Sequence, residues 1–181
     1  RDTWGASLSA ATGSVVYRYD CIGEDAECEA PCKAVFHREC LSAHTQPEDD
    51  LHHATRTLPE HLAANGHLDA AEGSLLLKAD VEGEEWAVFA GLEQRVLRKF
   101  RQISLELHEP CLDGLTDAVR LAQLTAMMEN LLQSFVVVHV HSNNYCHKPD
   151  ERLGRDAAVC GCVEVTFAHR AFVQPGVCRA P

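Results

Sequence analysis

The chain has 181 residues, enough for one domain of ordinary size with a sizeable buried core. Its 46% hydrophobic and 24% charged residues are typical of a globular protein and exclude a disordered or fibrous chain. The formal net charge of -11 argues against a nucleic acid or an anionic membrane surface as a partner, because both are bound through clustered Lys and Arg.

Apolar and β-branched runs alternate with stretches of helical period along the chain. The expected strands are Ser14–Cys21, Ala34–Ala43, Ser74–Gly83, Arg101–Pro110, Phe135–Asn144 and Val159–Val173. The expected helices are Thr57–Gly66, Glu84–Phe100 and Leu115–Phe135. This alternation indicates βαβ units and therefore an α/β fold, with a mostly parallel sheet, helices on both of its faces and a final antiparallel strand.

Two of the expected strands, LLLKA from Leu75 and FVVVHV from Phe135, are near-continuous apolar runs. Such runs are typical of strands buried on both faces by flanking helices. His139, flanked by valines, is accordingly expected to be a buried structural histidine. FVVVHV is the longest apolar stretch and is too short to span a bilayer.

Nine cysteines are present, an odd number, so they cannot all pair within one chain. Cys28 and Cys32 lie in a polar Cys-rich loop, residues 22–33, which we interpret as an insertion. A disulfide in a secretory compartment, free thiols and a structural metal site all remain open. The localisation is therefore either cytoplasmic or in the secretory pathway.

Polar side chains follow the predicted strands at the points where they end. In an open parallel sheet, ligands bind outside the carboxyl ends of the strands. Because residues two apart in a strand face the same side, three same-side sets are expected. They are Asp80 with Glu82, Glu106 with His108, and His139 with His141 and Asn143.

Each of these groups also has a structural interpretation. Asp20, at the end of the first strand, is either a turn residue or a ligand acid. Asp80 and Glu82 are either helix-capping carboxylates or ligand groups, and we favour the latter because Glu84 and Glu85 already supply negative charge to the helix. The two strand-end histidines, His108 and His141, are each either hydrogen-bonded structural residues or a general base or metal ligand.

LLLKADVEGEEWAVFAGL, from Leu75 to Leu92, resembles the central signature of the FkbM-type methyltransferases. QISLELHEP resembles that family's next strand, VVVHVHSNNY its His-x-Asn-Asn stretch, and VEVTFAHR its closing strand. SVVYRYDC resembles the strand whose terminal acid holds the ribose of the cofactor. The resemblance, over roughly Ser14 to Val173, implies a Rossmann-like class I fold with a seven-stranded sheet and S-adenosylmethionine as cofactor.

The resemblance also implies roles for individual residues. Asp20 would hold the ribose, and Ser42 and His44 would lie near the adenine. Asp80 would contact the cofactor and, with Glu82, border its sulfonium or the acceptor. The base that deprotonates an oxygen or nitrogen of the acceptor, a small molecule or a protein, would be one of the two strand-end histidines named above, His108 or His141.

Two alternatives stay open beside this reading. One adds Mg²⁺ or Mn²⁺, held by the same acids and histidines: Asp80, Glu82, His108 and His141. The other is a catalytically inactive methyltransferase-like binding domain, secreted and disulfide-bonded.

The N-terminal part departs from the family pattern. No counterpart of the family's first strand and Gly-rich loop precedes Ser14, and Asp2–Gly13 resembles the helix that follows that loop. We therefore expect a single methyltransferase-like domain over residues 1–181 that lacks its first strand, as an N-terminally truncated fragment would.

Overall fold

The computed structural model describes residues 3–23, 29–47, 54–108, 118–143, 147–149 and 158–174. Asp2, Cys28, Pro110 and Asn144, on which parts of the sequence predictions fall, lie outside the described residues. The chain forms two compact units, Arg1–Thr57 and Leu58–Pro181, which are described one at a time.

The first unit contains one helix and two short pairs of strands. The elements are α1 (Thr3–Thr12), β1 (Val15–Tyr19), β2 (Lys33–His37), β3 (Glu39–Leu41) and β4 (Ala54–Arg56). β1 pairs with β2 and β3 pairs with β4, both in parallel. The single strand predicted over Ala34–Ala43 is therefore wrong: the chain changes partners at Arg38, and the three-residue β4 is too short to show a period in sequence.

Two hydrogen bonds of Ser9 and one disulfide connect the elements of the first unit. Ser9 is fully buried, and its hydroxyl donates to the Ser14 carbonyl at 2.8 Å and accepts from the Lys33 N–H at 2.7 Å, tying α1 to both neighbouring strands. A disulfide joins Cys21, after β1, to Cys40 in β3.

The second unit carries the larger sheet. Its elements are α2 (Leu58–Ala64), β5 (Leu75–Ala79), α3 (Glu85–Gly91), α4 (Gln94–Leu97), β6 (Phe100–His108), α5 (Ala118–Ser134), β7 (Phe135–Ser142), β8 (His147–Pro149), β9 (Ala158–Cys160), β10 (Cys162–His169) and a final 3-10 turn (Arg170–Phe172). No helix within the described ranges is long and apolar enough to cross a membrane.

The sheet of the second unit has the strand order β5-β6-β10-β7. β5 and β6 are parallel, and β10 runs antiparallel to both β6 and β7. The predicted α/β class, with parallel strands and a final antiparallel strand, is confirmed at this level. The short antiparallel pair β8 and β9 was not predicted.

One face of β6 is apolar and the other is polar. Ile103, Leu105 and Leu107 are buried on the first face, where they contribute to a core that also contains Phe89, Leu97, Met127, Leu131, Phe135 and Phe167. The alternate residues of β6 are only partly buried. This alternation leaves the hydrophilic face of the strand available for chemistry.

Burial on both faces, predicted for β5 and β7, is wrong. Leu76 of β5 is 43% exposed, and Val138 and Val140 of β7 are 53% and 61% exposed. His139 is exposed as well, so it is not the buried structural histidine that its valine neighbours suggested. The physical reason is strand order, since β5 and β7 are the two edges of the described sheet.

The helix predicted over Glu84–Phe100 is broken after α3, because Leu92 and Glu93 are extended. Asn130 of α5 stabilises the break, its side-chain amide donating to the carbonyls of Phe89 and Leu92 at 2.9 and 2.7 Å. A neighbour this distant in sequence satisfies the carbonyls that a continuous helix would have satisfied internally. The sequence between Glu84 and Phe100 does not show that Asn130 will bind these carbonyls.

Loss of the Cys21–Cys40 bond is expected to weaken the first unit. Isolated two-stranded sheets are marginally stable in water, and the bond closes a loop of 19 residues, worth about 3 kcal/mol. Cys21→Ser and the double variant Cys21→Ser/Cys40→Ser should accelerate hydrogen exchange in β1 and β2 to the same extent. Unchanged exchange in both variants would contradict a stabilising role for the bond.

Asn130→Ala is expected to lower the free energy of unfolding by about 2 kcal/mol, because two carbonyls lose their donor. Gln133→Ala, an exposed change on the same helix, is the matched control and should change it by less than about 0.5 kcal/mol. Urea denaturation of the three proteins measures both. Equal stabilities would show that the α3–α4 break needs no bridging side chain.

Candidate functional site

The candidate site lies at the carboxyl ends of β5 and β6. These strands are adjacent and parallel, so their ends meet at one edge of the sheet. Asp80 directly follows β5, and His108 is the last residue of β6. The structure therefore brings together two of the strand ends from which the sequence predicted chemistry.

A buried carboxylate, that of Glu85, organises this edge. Glu85 has no exposed surface, and its two oxygens accept from the N–H groups of Val81 and Gly83, each at 2.9 Å. Oε1 also lies 2.9 Å from Nδ1 of His108. Glu85 is thus a structural centre of the site, and the sequence interpretation of it as a simple helix-end charge is incomplete.

The turn between β5 and α3 is shaped around that carboxylate. Glu82 and Gly83 have positive φ values of 54° and 106°, and the Glu84 N–H closes the turn on the Val81 carbonyl at 3.2 Å. A positive φ is readily adopted by glycine and is rare for a residue such as glutamate. The conformation points two backbone N–H groups at Glu85 while leaving the Glu82 side chain 85% exposed.

His108 is fixed at both its side chain and its main chain. The Trp86 indole N–H donates to the His108 carbonyl at 3.1 Å, and Glu85 accepts at Nδ1. The other ring nitrogen, Nε2, lies 3.6 Å from Oδ1 of Asp80 and 3.5 Å from Oε2 of Glu82. Both of these distances exceed a normal hydrogen bond.

The surrounding acids change the protonation of His108. Burial is the largest single effect and disfavours the charged imidazole. The hydrogen bond to Glu85 and the negative charges of Glu85, Glu82 and Asp80 favour the charged imidazole and together outweigh burial. The pKa of the His108 imidazole is consequently raised above its ordinary value. This edge of the sheet therefore favours positive charge at the imidazole.

Glu106 and Asn143 extend the polar edge toward β7. The Asn143 amide donates to Oε1 of Glu106 at 2.8 Å, and its backbone N–H donates to the Cys162 carbonyl at 3.1 Å. Burial, followed by the charge of Asp80, raises the pKa of the Glu106 carboxyl. Period-two alternation placed Glu106 with His108 and Asn143 with His141, and parallel strands were expected to bring the two sets to one edge of the sheet, but the sequence did not specify the Asn143–Glu106 contact.

His141 lies apart from His108. In the register of the sheet, His141 is opposite Glu164 of β10, and Glu164 is opposite Glu106 of β6. β10 therefore separates the two histidine-bearing strands by two strand spacings, about 10 Å. The predicted role of His141 as an alternative base stays a prediction, at a position distinct from the Glu85–His108 pair.

The predicted cofactor ligands of the first unit lie near its disulfide. Oδ1 of Asp20 accepts from the N–H groups of Ile22 and Gly23, at 2.9 and 2.7 Å, so one oxygen belongs to a local turn. Ser42 follows β3, and its hydroxyl accepts from the His44 N–H at 3.4 Å. The Cys21–Cys40 bond joins the segment after Asp20 to the segment before Ser42.

Two overlapping sets of side chains at the sheet edge have metal-ligand spacing. One is Asp80, Glu85 and His108, and the other is Glu106, His108 and Cys162. Cys162 is disulfide-bonded, so its sulfur is not a thiolate ligand. The first set is therefore the better candidate for a cation.

Glu85→Gln is expected to lower the free energy of unfolding by about 3 kcal/mol, because the amide cannot accept all three hydrogen bonds and turns a donor toward backbone N–H groups. Glu129→Gln, at an exposed position of α5, is the control and should have little effect. Chemical denaturation measures the difference. A Glu85 variant as stable as the control would refute the organising role of this carboxylate.

No protein-family model, no curated protein and no solved structure matches the chain. Assignment of the site therefore depends on its own geometry and on the sequence patterns that led to it. That geometry is an imidazole held by a buried glutamate at the ends of two parallel strands, with two further carboxylates at its free nitrogen.

Proposed function

We propose that the protein transfers a methyl group from S-adenosylmethionine to an oxygen or nitrogen of an acceptor, as the resemblance to the FkbM-type methyltransferases implies. The observation that carries the proposal is the position of Asp80, Glu82 and His108 at the carboxyl ends of adjacent parallel strands. Open α/β sheets bind their ligands at that edge.

Two further features support this function. The last strand, β10, runs antiparallel to β6 and β7 while β5 and β6 are parallel, and a final antiparallel strand is what the proposed fold requires. The DVEGEEW segment, which carries the resemblance, is the segment whose turn is built around a buried glutamate. The segment that carries the resemblance therefore forms the turn whose N–H groups bind the Glu85 carboxylate.

In methyl transfer, the protein has to position the cofactor and the acceptor and to remove one proton from the acceptor. When bound, the cofactor supplies an electrophilic methyl group on its sulfonium. Glu85 orients the His108 ring, and the neutral imidazole, which forms above its raised pKa, presents the lone pair of Nε2 to the acceptor's N–H or O–H. Asp80 and Glu82 stabilise the imidazolium that forms on proton transfer.

The ribose role proposed for Asp20 depends on one of its two carboxylate oxygens, Oδ2. Oδ1 serves the turn, while Oδ2 receives no hydrogen bond from the described residues. A ribose hydroxyl needs one acceptor oxygen, so Asp20 retains the capacity to bind it. The adenine role of Ser42 and His44 stays a prediction.

A second candidate function is a binding domain without catalysis. The turn made by Asp20 favours it, since a purely structural aspartate would make the same two hydrogen bonds. The Cys21–Cys40 disulfide agrees with the secreted form of this alternative. The two functions differ in whether the cofactor binds.

Calorimetric titration of the protein with S-adenosylmethionine tests the proposal. Asp20→Asn is the sharpest variant, because an asparagine oxygen keeps the turn while an NH2 group replaces Oδ2. We expect affinity to fall at least about tenfold, the loss of one charged hydrogen bond. Asp69→Asn, an exposed change in the second unit, is the control and should bind like the parent protein.

His108→Gln should leave cofactor affinity close to that of the parent protein, because the imidazole is assigned to the acceptor. Absence of cofactor binding to the parent protein would favour the binding domain over the enzyme. Binding that is indifferent to Asp20→Asn would remove the ribose role while leaving the cofactor in place.

A further inference from the structure

The end of β6 and the start of β10 bring together a carboxylate, an imidazole and a cysteine sulfur. In the antiparallel register, Cys162 is directly opposite His108, and Glu106 is two residues before His108 on the same face of β6. One ligand atom from each of these three side chains lies within 4.8 Å of the other two. The pairing of the two strands therefore creates a group with metal-ligand spacing.

Two of the three side chains are already held by partners outside the group. Glu85 accepts the proton of Nδ1, so a neutral His108 carries its lone pair on Nε2. The Asn143 amide donates to Oε1 of Glu106 at 2.8 Å. Metal-binding histidines and carboxylates are oriented by outer hydrogen bonds of this kind. The imidazole and the carboxylate are therefore positioned before an ion binds.

The oxidation state of Cys162 decides whether the third ligand is present. Cys162 is disulfide-bonded and 4% exposed, and a disulfide sulfur is not a thiolate ligand. A dithiol reductant breaks the S–S bond, passing two electrons and two protons to the two cysteine sulfurs while it becomes a disulfide itself. The Cys162 thiol then releases its proton on coordination, because the thiolate is the form that binds metal.

We propose that reduction of the Cys162 disulfide creates a site for one Zn²⁺ on Glu106, His108 and Cys162. Carboxylate oxygen, imidazole nitrogen and thiolate sulfur are all zinc ligands, and three protein ligands leave a fourth position for water. The ion links β6 to β10 in the reduced protein alone. This site shares only His108 with the Mg²⁺ or Mn²⁺ alternative considered from the sequence.

The zinc would also regulate methyl transfer, and this part of the inference rests on the proposed function. An ion on Nε2 occupies the lone pair that His108 uses as a base. Reduction in the presence of zinc is therefore expected to stop transfer. Binding of the ion itself requires neither cofactor nor acceptor, so it is measured without them.

The experiment titrates Co²⁺, a spectroscopic substitute for Zn²⁺, into the protein before and after reduction with a phosphine. Thiolate ligation of Co²⁺ gives a charge-transfer band in the near ultraviolet. Because the chain has nine cysteines, reduced Cys162→Ser is the reference that separates this site from the other thiols. We expect the reduced parent protein to bind one more Co²⁺ per chain than reduced Cys162→Ser, with a charge-transfer band that Zn²⁺ abolishes.

Variants of the other two ligands test the composition of the site. Glu106→Gln and His108→Gln should each weaken Co²⁺ binding to the reduced protein by at least about tenfold, a loss that a change in an outer hydrogen bond is already enough to cause. Glu129→Gln and His141→Gln, at exposed positions, are the matched controls and should bind like the parent protein. Binding that survives Glu106→Gln but is lost in Asp80→Asn would overturn the proposal, because the ion would then lie on the other acid.

Cys162→Asp provides a test that needs no reduction, since a carboxylate replaces the sulfur as the third ligand. Unreduced Cys162→Asp should bind Co²⁺, and unreduced Cys162→Ser, its matched control, should not. If the reduced parent protein keeps its thermal unfolding transition, equal Co²⁺ binding by it and by reduced Cys162→Ser would overturn the proposal. If reduction unfolds the protein, absence of binding by unreduced Cys162→Asp would do so. Cofactor binding by the unreduced parent protein is measured separately by calorimetry, so the two proposals fail independently.

Discussion

The Glu85 carboxylate has no exposed surface, and the turn, helix and strand around it depend on how its charge is satisfied. Removing an ionised carboxylate from water costs several kcal/mol unless hydrogen bonds replace its hydration. Two backbone N–H groups and the His108 imidazole provide them at 2.9 Å each. The turn after β5, the first residue of α3 and the last residue of β6 are therefore held by one group.

Trp86, the next residue, completes the arrangement by donating to the His108 carbonyl. Two successive residues of α3 thus fix both the ring and the backbone of His108. The remaining ring nitrogen has one direction to face, toward Asp80 and Glu82. The packing of α3 against the end of β6 therefore fixes the orientation of the imidazole.

The two units are stabilised by different means. The second unit has an aromatic and aliphatic core around Phe89, Phe135 and Phe167. The first unit has only two-stranded sheets and relies on the Cys21–Cys40 bond and the buried Ser9 hydroxyl. Its elements were the hardest to predict, because short strands without a clear period take their positions from partners elsewhere in the chain.

The sequence by itself determined the order of the main helices and strands, and that polar groups such as Asp80 and His108 follow strand ends, because hydrophobic period is a local property. Only the tertiary structure decided that Glu85 is buried. An acid in the first turn of a helix is equally compatible with an exposed helix-end charge, and its partner is 23 residues away. Strand order likewise separated His141 from His108, because a hydrophobic period does not specify which strands become neighbours.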